Sequence, residues 1–298
     1  MRTTKRFTPQ LLDRYRALGR GTGKYESYIP WHRVSRSDPS SLGRSCLVNW
    51  RGRHIELLSD NEFIAFCFST RIIEGKNDLR EQFPLALESY KHELSLYHAK
   101  YSIKQYPGTL EIADQLQIKH PKVYGDGLSA NWVMTTDILL TLGTTNNSYV
   151  LLAISVKNER PLSKRAKALL LIEKTYWQHR DVPWLLITPR QYHLLTAETL
   201  QRTYQWALKQ PVSMACLDNA KTIIYRYQGS SYEYILKQLA RHLGNNDLSH
   251  HALWQSVWSG FAPVDLRRGW RPHLPLQLLG QDEFDALNPV LARRSAWT

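Results

Sequence analysis

Asp137, Ser155 and Lys157 are the residues whose types and spacing suggest chemistry. They lie on two β-rich runs, Val133 to Leu142 and Tyr149 to Lys157, separated by the polar cluster Thr144-Thr145-Asn146-Asn147-Ser148. Two such runs joined by a short polar turn read as an antiparallel hairpin. A turn centred between Asn146 and Asn147 sets Asp137 across from Val156. The flanking Ser155 and Lys157 share a face, because side chains alternate along a strand. A register change of one residue puts Asp137 directly opposite Ser155 or Lys157. In each case an acid and an ammonium meet beside a turn. A divalent cation held by carboxylates would neutralise the charge that grows on a phosphodiester under attack, and would lower the pKa of bound water. Mg²⁺ favours such sites, taking a few carboxylate oxygens and keeping several waters. A neighbouring lysine can orient the nucleophile or stabilise the transition state. One carboxylate is too few, and Glu62, at the start of its own helix, is the second candidate. Plainer readings stand beside these. Ser59-x-x-Glu62 also fits a helix capping box. Lysines on strand edges ward off aggregation, and a surface Asp–Lys pair contributes only ~0–1 kcal/mol.

The elements that must position these residues follow an α/β order. Residues 5 to 19 read as a helix that ends in the glycines between Gly19 and Gly23. Tyr28 to Trp31 and Leu47 to Trp50 read as short extended pieces. Ser59-Asp60-Asn61-Glu62 opens a helix to about Ser69, and Glu81 to Leu85 reads as a strand broken by Pro84. After the hairpin, apolar residues from Ser163 to about His179 follow helical spacing, and Trp184 to Thr188 is a buried strand. Strand, helix, strand is a crossover unit, which favours a parallel pair. The expected fold is therefore a mixed sheet flanked by helices over residues 1–189, followed by a smaller helix-rich domain over 190–298. In the second domain 197–208, 231–243 and 248–258 read as helices, and Thr222 to Tyr227 as a strand.

Bulk composition narrows the function. The chain has 298 residues, is 43% hydrophobic and carries a formal net charge of +13, an excess that suits a polyanionic partner, nucleic acid above all. Three scattered cysteines make no disulfide framework and fit a reducing cytoplasm. The eleven histidines show no HExxH spacing, so zinc chemistry finds no support. The first residues lack the apolar core of a secretory signal, and apolar runs such as Leu169 to Ile172 are too short to span a bilayer.

Longer words are more specific. Gly23-Lys24-Tyr25-Glu26-Ser27-Tyr28-Ile29-Pro30-Trp31, Leu57-Leu58-Ser59-Asp60-Asn61-Glu62, Leu79-Arg80-Glu81-Gln82-Phe83-Pro84-Leu85, Lys119-His120-Pro121 with Met134-Thr135-Thr136-Asp137, and Tyr176-Trp177-Gln178 with Pro183-Trp184 occur in that order. Together they resemble the TnsA-type endonucleases of heteromeric cut-and-paste transposases, over roughly residues 15 to 190. The order Glu, Asp, x-Val-Lys also resembles the wider restriction-endonuclease-like nucleases.

The resemblance implies a restriction-endonuclease-like first domain and a winged-helix-like, partner-docking second one. It implies Glu62, Asp137 and Lys157 as the catalytic trio, with Mg²⁺ (or Mn²⁺ as substitute) held by Glu62 and Asp137. The family prototype carries Gln, and related nucleases Glu, where this chain has Ser155. Ser155 is then expected to act through water, and the Val156 carbonyl to supply a direct oxygen. The implied activity is cleavage of the 5′ strands at transposon ends in double-stranded DNA. The implied partners are a TnsB-type DDE transposase and a TnsC-type ATPase regulator. Arg160, Lys164, Arg165 and Lys167 are candidate DNA contacts, with Arg267, Arg268 and Arg271 near the C-terminus. Gln82 and Arg80 would reach the site or the DNA, or else only fix the sheet. His120 would touch phosphate or cap a helix. Two rival functions remain open at this stage: a non-catalytic DNA-binding scaffold that recruits a transposase, and a stand-alone restriction or repair nuclease.

Overall fold

The structure is a computed structural model that describes residues 6–35, 38, 44–73, 75, 77–146, 148–209 and 211–297. The chain divides into two compact units. The first comprises residues 1–63 and 73–187 with Trp297, and the second residues 64–72 and 188–296 with Thr298.

The first unit contains α1 (Pro9–Ala17), β1 (Cys46–Trp50), β2 (Arg53–Leu57), the start of α2 (Asp60–Thr70), β3 (Asp78–Pro84), β4 (Tyr90–Lys91), β5 (Gln105–Tyr106), α3 (Thr109–Gln115), β6 (Lys122–Gly125), β7 (Leu128–Asn131), β8 (Thr135–Gly143), β9 (Tyr149–Val156), α4 (Lys164–Gln178) and β10 (Trp184–Ile187). Its main sheet runs β10-β9-β8-β3. The pairs β3–β8 and β8–β9 are antiparallel, and β9–β10 is parallel. The crossover through α4 thus yields the parallel pair expected of it.

β8 and β9 are the two inner strands, and Ile138–Leu140 and Leu151–Val156 are buried accordingly. Burying each such aliphatic side chain contributes roughly 2 kcal/mol. α4 supplies Ile172, Tyr176 and Trp177 to the same core as Leu139, Leu151 and Ala153. The helix begins at Ser163, whose hydroxyl accepts from the Ala166 N–H, an N-cap.

Two family words meet in the fold. The Trp31 N–H donates to the Gln82 carbonyl at 3.2 Å. Gly21, just before the first word, adopts φ +79°, and a Cβ there would lie 2.2 Å from Pro84 Cγ at the end of β3. Only glycine allows that approach.

Three expectations shift. The helix expected over 5–19 spans Pro9–Ala17, residue 5 lying outside the described residues. Tyr28 to Trp31 forms no strand. The hairpin register differs by one residue from a turn centred between Asn146 and Asn147: Ile138 pairs with Ile154 and Gly143 with Tyr149. The loop closes through the Thr144 N–H to the Ser148 carbonyl at 2.8 Å, so it holds an odd number of residues. Asn147 itself lies outside the described residues.

The second unit is helical, with α5 (Leu194–Ala207), α6 (Met214–Arg226), α7 (Tyr232–Leu243), α8 (Asn246–Trp258) and α9 (Gln281–Ala286). Ile224, Tyr232, Ile235, Leu239, Leu253, Trp254 and Val257 are buried in it. Among its described residues, extended pairing is limited to the isolated bridges Ser231–Pro275 and Val264–Leu278. The strand expected at Thr222 to Tyr227 is the last part of α6 instead. Ser213 caps that helix by accepting from the Cys216 N–H, and Ala220 and Ile224, one turn apart, form its buried stripe. No helix among the described residues is long and apolar enough to cross a membrane.

Candidate active site

Asp137 stands on β8 one residue before its pairing with β9 begins. The register places it next to the end of β9, and its Oδ2 accepts from the Val156 N–H at 2.6 Å. The strand end therefore supplies a backbone donor that fixes the carboxylate. The Lys157 ammonium donates to the same Oδ2 at 3.3 Å and to the Val156 carbonyl at 2.8 Å. Among the described residues, Asp137 Oδ1 receives no hydrogen bond.

Glu62 lies in the first turn of α2 and is 8% exposed. Its Oε2 accepts from the Leu58 N–H at 2.9 Å and from Gln82 Nε2 at 3.0 Å, and its Oε1 from the Ser59 hydroxyl at 3.0 Å. Ser59 Oγ in turn accepts from the Glu62 N–H. The Ser59 hydroxyl thus caps the helix, while the Glu62 carboxylate bonds the Leu58 N–H and the Ser59 hydroxyl rather than the Ser59 N–H of a capping box. Burial, and then the charge of Asp137, push the Glu62 carboxyl up to about 7. Burial disfavours the Lys157 ammonium, but the carboxylates of Asp137, Glu173 and Glu62 outweigh it and raise its pKa. The three charged groups of the expected trio therefore lie within one electrostatic neighbourhood. A side-chain bridge from Asn61 Nδ2 to Asn158 Oδ1, 2.9 Å long, ties the start of α2 to the residue after Lys157.

Ser155 is 1% exposed, and its hydroxyl donates to Glu173 and accepts from Trp184 Nε1 at 3.1 Å. Its oxygen is engaged in the core. Gln82 reaches the site through Glu62. Arg80 does not: it lies over the rings of Phe83 and Tyr97, at 4.5 and 5.4 Å, and points Nη2 at Thr141 Oγ1. His120 turns one ring nitrogen to the Pro121 carbonyl and the other to the Thr109 hydroxyl in the first turn of α3, which has no side-chain cap of its own. Arg160, Lys164, Arg165 and Lys167 are exposed and, among the described residues, form no ion pair. Arg267 is paired with Asp265 and Glu283.

Two residues of this neighbourhood escape the motif reading. Glu173, on the inner face of α4, is 4% exposed, and its Oε1 accepts from Thr136 Oγ1 at 2.7 Å, from Trp184 Nε1 at 3.3 Å and from Ser155. Burial raises its pKa, while Lys157 opposes the rise. The sequence carries its signal: Leu169, Leu170, Glu173, Tyr176 and Trp177 follow one helical stripe, with an acid at its centre. His32 is 4% exposed and stacks on Trp132, with Nδ1 lacking a partner among the described residues. Burial lowers its pKa to about 4, while the charges of Asp38 and Asp137 oppose the drop.

The donor set suits a hard cation. Asp137 Oδ2 and the Val156 carbonyl share one positive charge, the Lys157 ammonium. The oxygens belong to carboxylates and a backbone carbonyl, with no thiolate or imidazole donating, and that is a magnesium-type chemistry. Among the described residues, no three Asp, Glu, His or Cys side chains converge into a ready-made cage. A cation here would rely on backbone oxygen and water as well as the two acids.

Residues 78–189, which hold β3, β8, β9, α4 and β10, match the family model described as TnsA-like endonuclease N terminal. The chain is 29% identical over 187 residues to the Transposon Tn7 transposition protein TnsA of Escherichia coli. That alignment covers 62% of this chain and 59% of the relative, so the match spans under two thirds of the relative's length.

Proposed function

We propose that this chain, whose residues 78–189 match the TnsA-like endonuclease family model, cleaves DNA strands at the ends of a transposon with the help of Mg²⁺. Its target is the 5′ strand at each end of the element. Mn²⁺ is expected to substitute. The observation that carries the reading is the meeting of Asp137, Lys157 and Glu62 at the ends of β8, β9 and α2, within the matched fold.

Glu62, Asp137 and the Val156 carbonyl would hold the cation. When bound, it would supply charge neutralisation at the scissile phosphate and a more acidic water. The chain's own contributions follow from the geometry. The Val156 N–H and the α2 cap keep the two acids oriented. Lys157, raised above its ordinary pKa, stays protonated through the physiological range and offers its ammonium to a phosphate oxygen or the attacking water. A cation held by Asp137 and the Val156 carbonyl would free the Lys157 ammonium, which now donates to both, for that use.

Arg160, Lys164, Arg165 and Lys167 would grip the DNA backbone. Three of them sit in the first turn of α4, where the helix macrodipole disfavours cations and the first turn lacks acids. A phosphate at that end would relieve the mismatch. The expected setting is cytoplasmic. A DDE-type transposase for the 3′ strands and an ATPase regulator complete the proposed assembly, with the second unit as the docking part.

Asp137→Ala in a reconstituted transposition reaction tests the function. Cutting of the 5′ strand should fall at least a hundredfold, on the order of the loss of a key electrostatic group, while joining of the 3′ strands persists. Undiminished 5′ cutting would leave only a scaffold role, and cutting by the purified chain without partners would point to a stand-alone nuclease.

A further inference from the structure

Gln82 is the residue in β3 whose backbone breaks the rules of a strand. The pairing of β3 with β8 joins Glu81 to Ile138 and Phe83 to Thr136, so the register leaves Gln82 across from Asp137. That rung is missing from an otherwise continuous ladder. Gln82 adopts φ +48°, a left-handed conformation that a residue with a Cβ rarely holds inside a strand.

The surroundings hold it there from both sides. Its carbonyl accepts from the Trp31 N–H, and its side chain, 2% exposed, donates from Nε2 to Glu62 Oε2. Its neighbours are committed elsewhere. Glu81 is locked by Arg53 and the Glu56 N–H, and Phe83 packs on Trp177. A regular strand would need none of this, because a glutamine that merely satisfied a buried acceptor could sit in ordinary β backbone. The strain leaves the rung beside Asp137 unzipped and delivers a carboxamide to the other acid.

We propose that Gln82 is a positioning residue, whose left-handed backbone and carboxamide set the Glu62 carboxylate against Asp137 so that the helix acid and the strand acid act on one cation. The proposal rests on the reading that Glu62 and Asp137 hold that cation. It assigns Gln82 no contact with substrate.

The test is Mn²⁺ titration of the full chain, read by the loss of the free-ion paramagnetic resonance signal, with thermal unfolding alongside. Gln82→Gly accepts the left-handed backbone without strain but lacks the carboxamide. The relieved backbone offsets only part of the lost burial, so its melting temperature should fall modestly while Mn²⁺ affinity falls about tenfold or more, as losses of supporting groups around a metal do. Gln82→Asn also tolerates this backbone and keeps a carboxamide one methylene shorter, so it should recover part of the affinity. Mn²⁺ affinity unchanged in Gln82→Gly, with affinity lost in Glu62→Gln, overturns the role of Gln82 and leaves the metal reading standing. Binding indifferent to both Glu62→Gln and Asp137→Ala overturns the metal reading and this proposal with it. Should the glycine variant fail to fold, the asparagine variant decides by the same affinity comparison.

Discussion

At the scale of single residues, Glu62 joins a helix start to the proposed metal site. The capping pattern at Ser59 and the metal-ligand reading look like competitors in the sequence. In the fold the two coexist: the carboxylate that bonds the Ser59 hydroxyl is also the one whose proton affinity burial and Asp137 raise. The pH consequence has a definite sign. A carboxyl raised from its usual 4.5 to about 7 contributes stability fully below the lower value, and loses it as pH rises through the upper one. Glu62→Gln carries no such group. Its melting temperature relative to wild type should therefore climb between pH 5 and pH 8 in metal-free buffer, and 5′ cutting should be lost. A difference that stays flat across that window would show that Glu62 titrates at its ordinary value. The acids of the trio were legible in the sequence because they fall in recognisable words. Ser155 and Glu173 were not paired there, because a hydroxyl on a strand and a carboxylate a helix away meet only after α4 packs on the sheet.

At the scale of elements, α4 is decisive because it puts a charged residue into the core stripe. Thr136, Ser155 and Trp184 all aim donors at Glu173 Oε1. Removing that acceptor leaves buried donors unmet, at roughly 1–3 kcal/mol for each such group. Glu173→Leu should lower the unfolding free energy in urea by about 3 kcal/mol or more, and Glu173→Gln, which keeps an acceptor, should lower it by less. Equal losses would mean that the side chain matters by volume alone. In the first unit α2, β3, β8, β9, α4 and β10 were readable from the sequence, β8, β9 and α4 because they are long and regular, whereas the short elements α3 and β4 to β7 were not. The register was not, because a loop with one residue more or fewer leaves the pattern of apolar residues almost unchanged. The stretch Thr222 to Tyr227 misleads for a different reason. Its β-branched and aromatic residues favour extended structure locally, yet Ala220 and Ile224 find their burial only with helical spacing.

At the scale of the whole molecule, the net charge of +13 gives the chain a broad attraction for polyanions, but affinity depends on where the cations lie. Arg267 is neutralised by Asp265 and Glu283, whereas Arg160, Lys164, Arg165 and Lys167 stand exposed. If these four touch phosphates, duplex affinity should fall steeply with salt. Replacing all four with alanine should then reduce the log–log salt slope by about 3.6, close to 0.9 for each contact. A slope unchanged in that variant, measured by fluorescence anisotropy, would move the DNA contacts elsewhere on the surface.

The second unit is assembled from two stretches of chain, 64–72 and 188–296. Asn288 closes on the Phe68 carbonyl across 220 residues, and Asp285 on Arg71 across 214. During synthesis at about 5–20 residues per second, Phe68 is made roughly 11–44 s before Asn288. Through that interval the apolar run Phe66, Cys67 and Phe68 is a sticky segment awaiting its cover. The nascent chain is then open to chaperone capture or to wrong associations until the stretch that carries Asp285 and Asn288 is made.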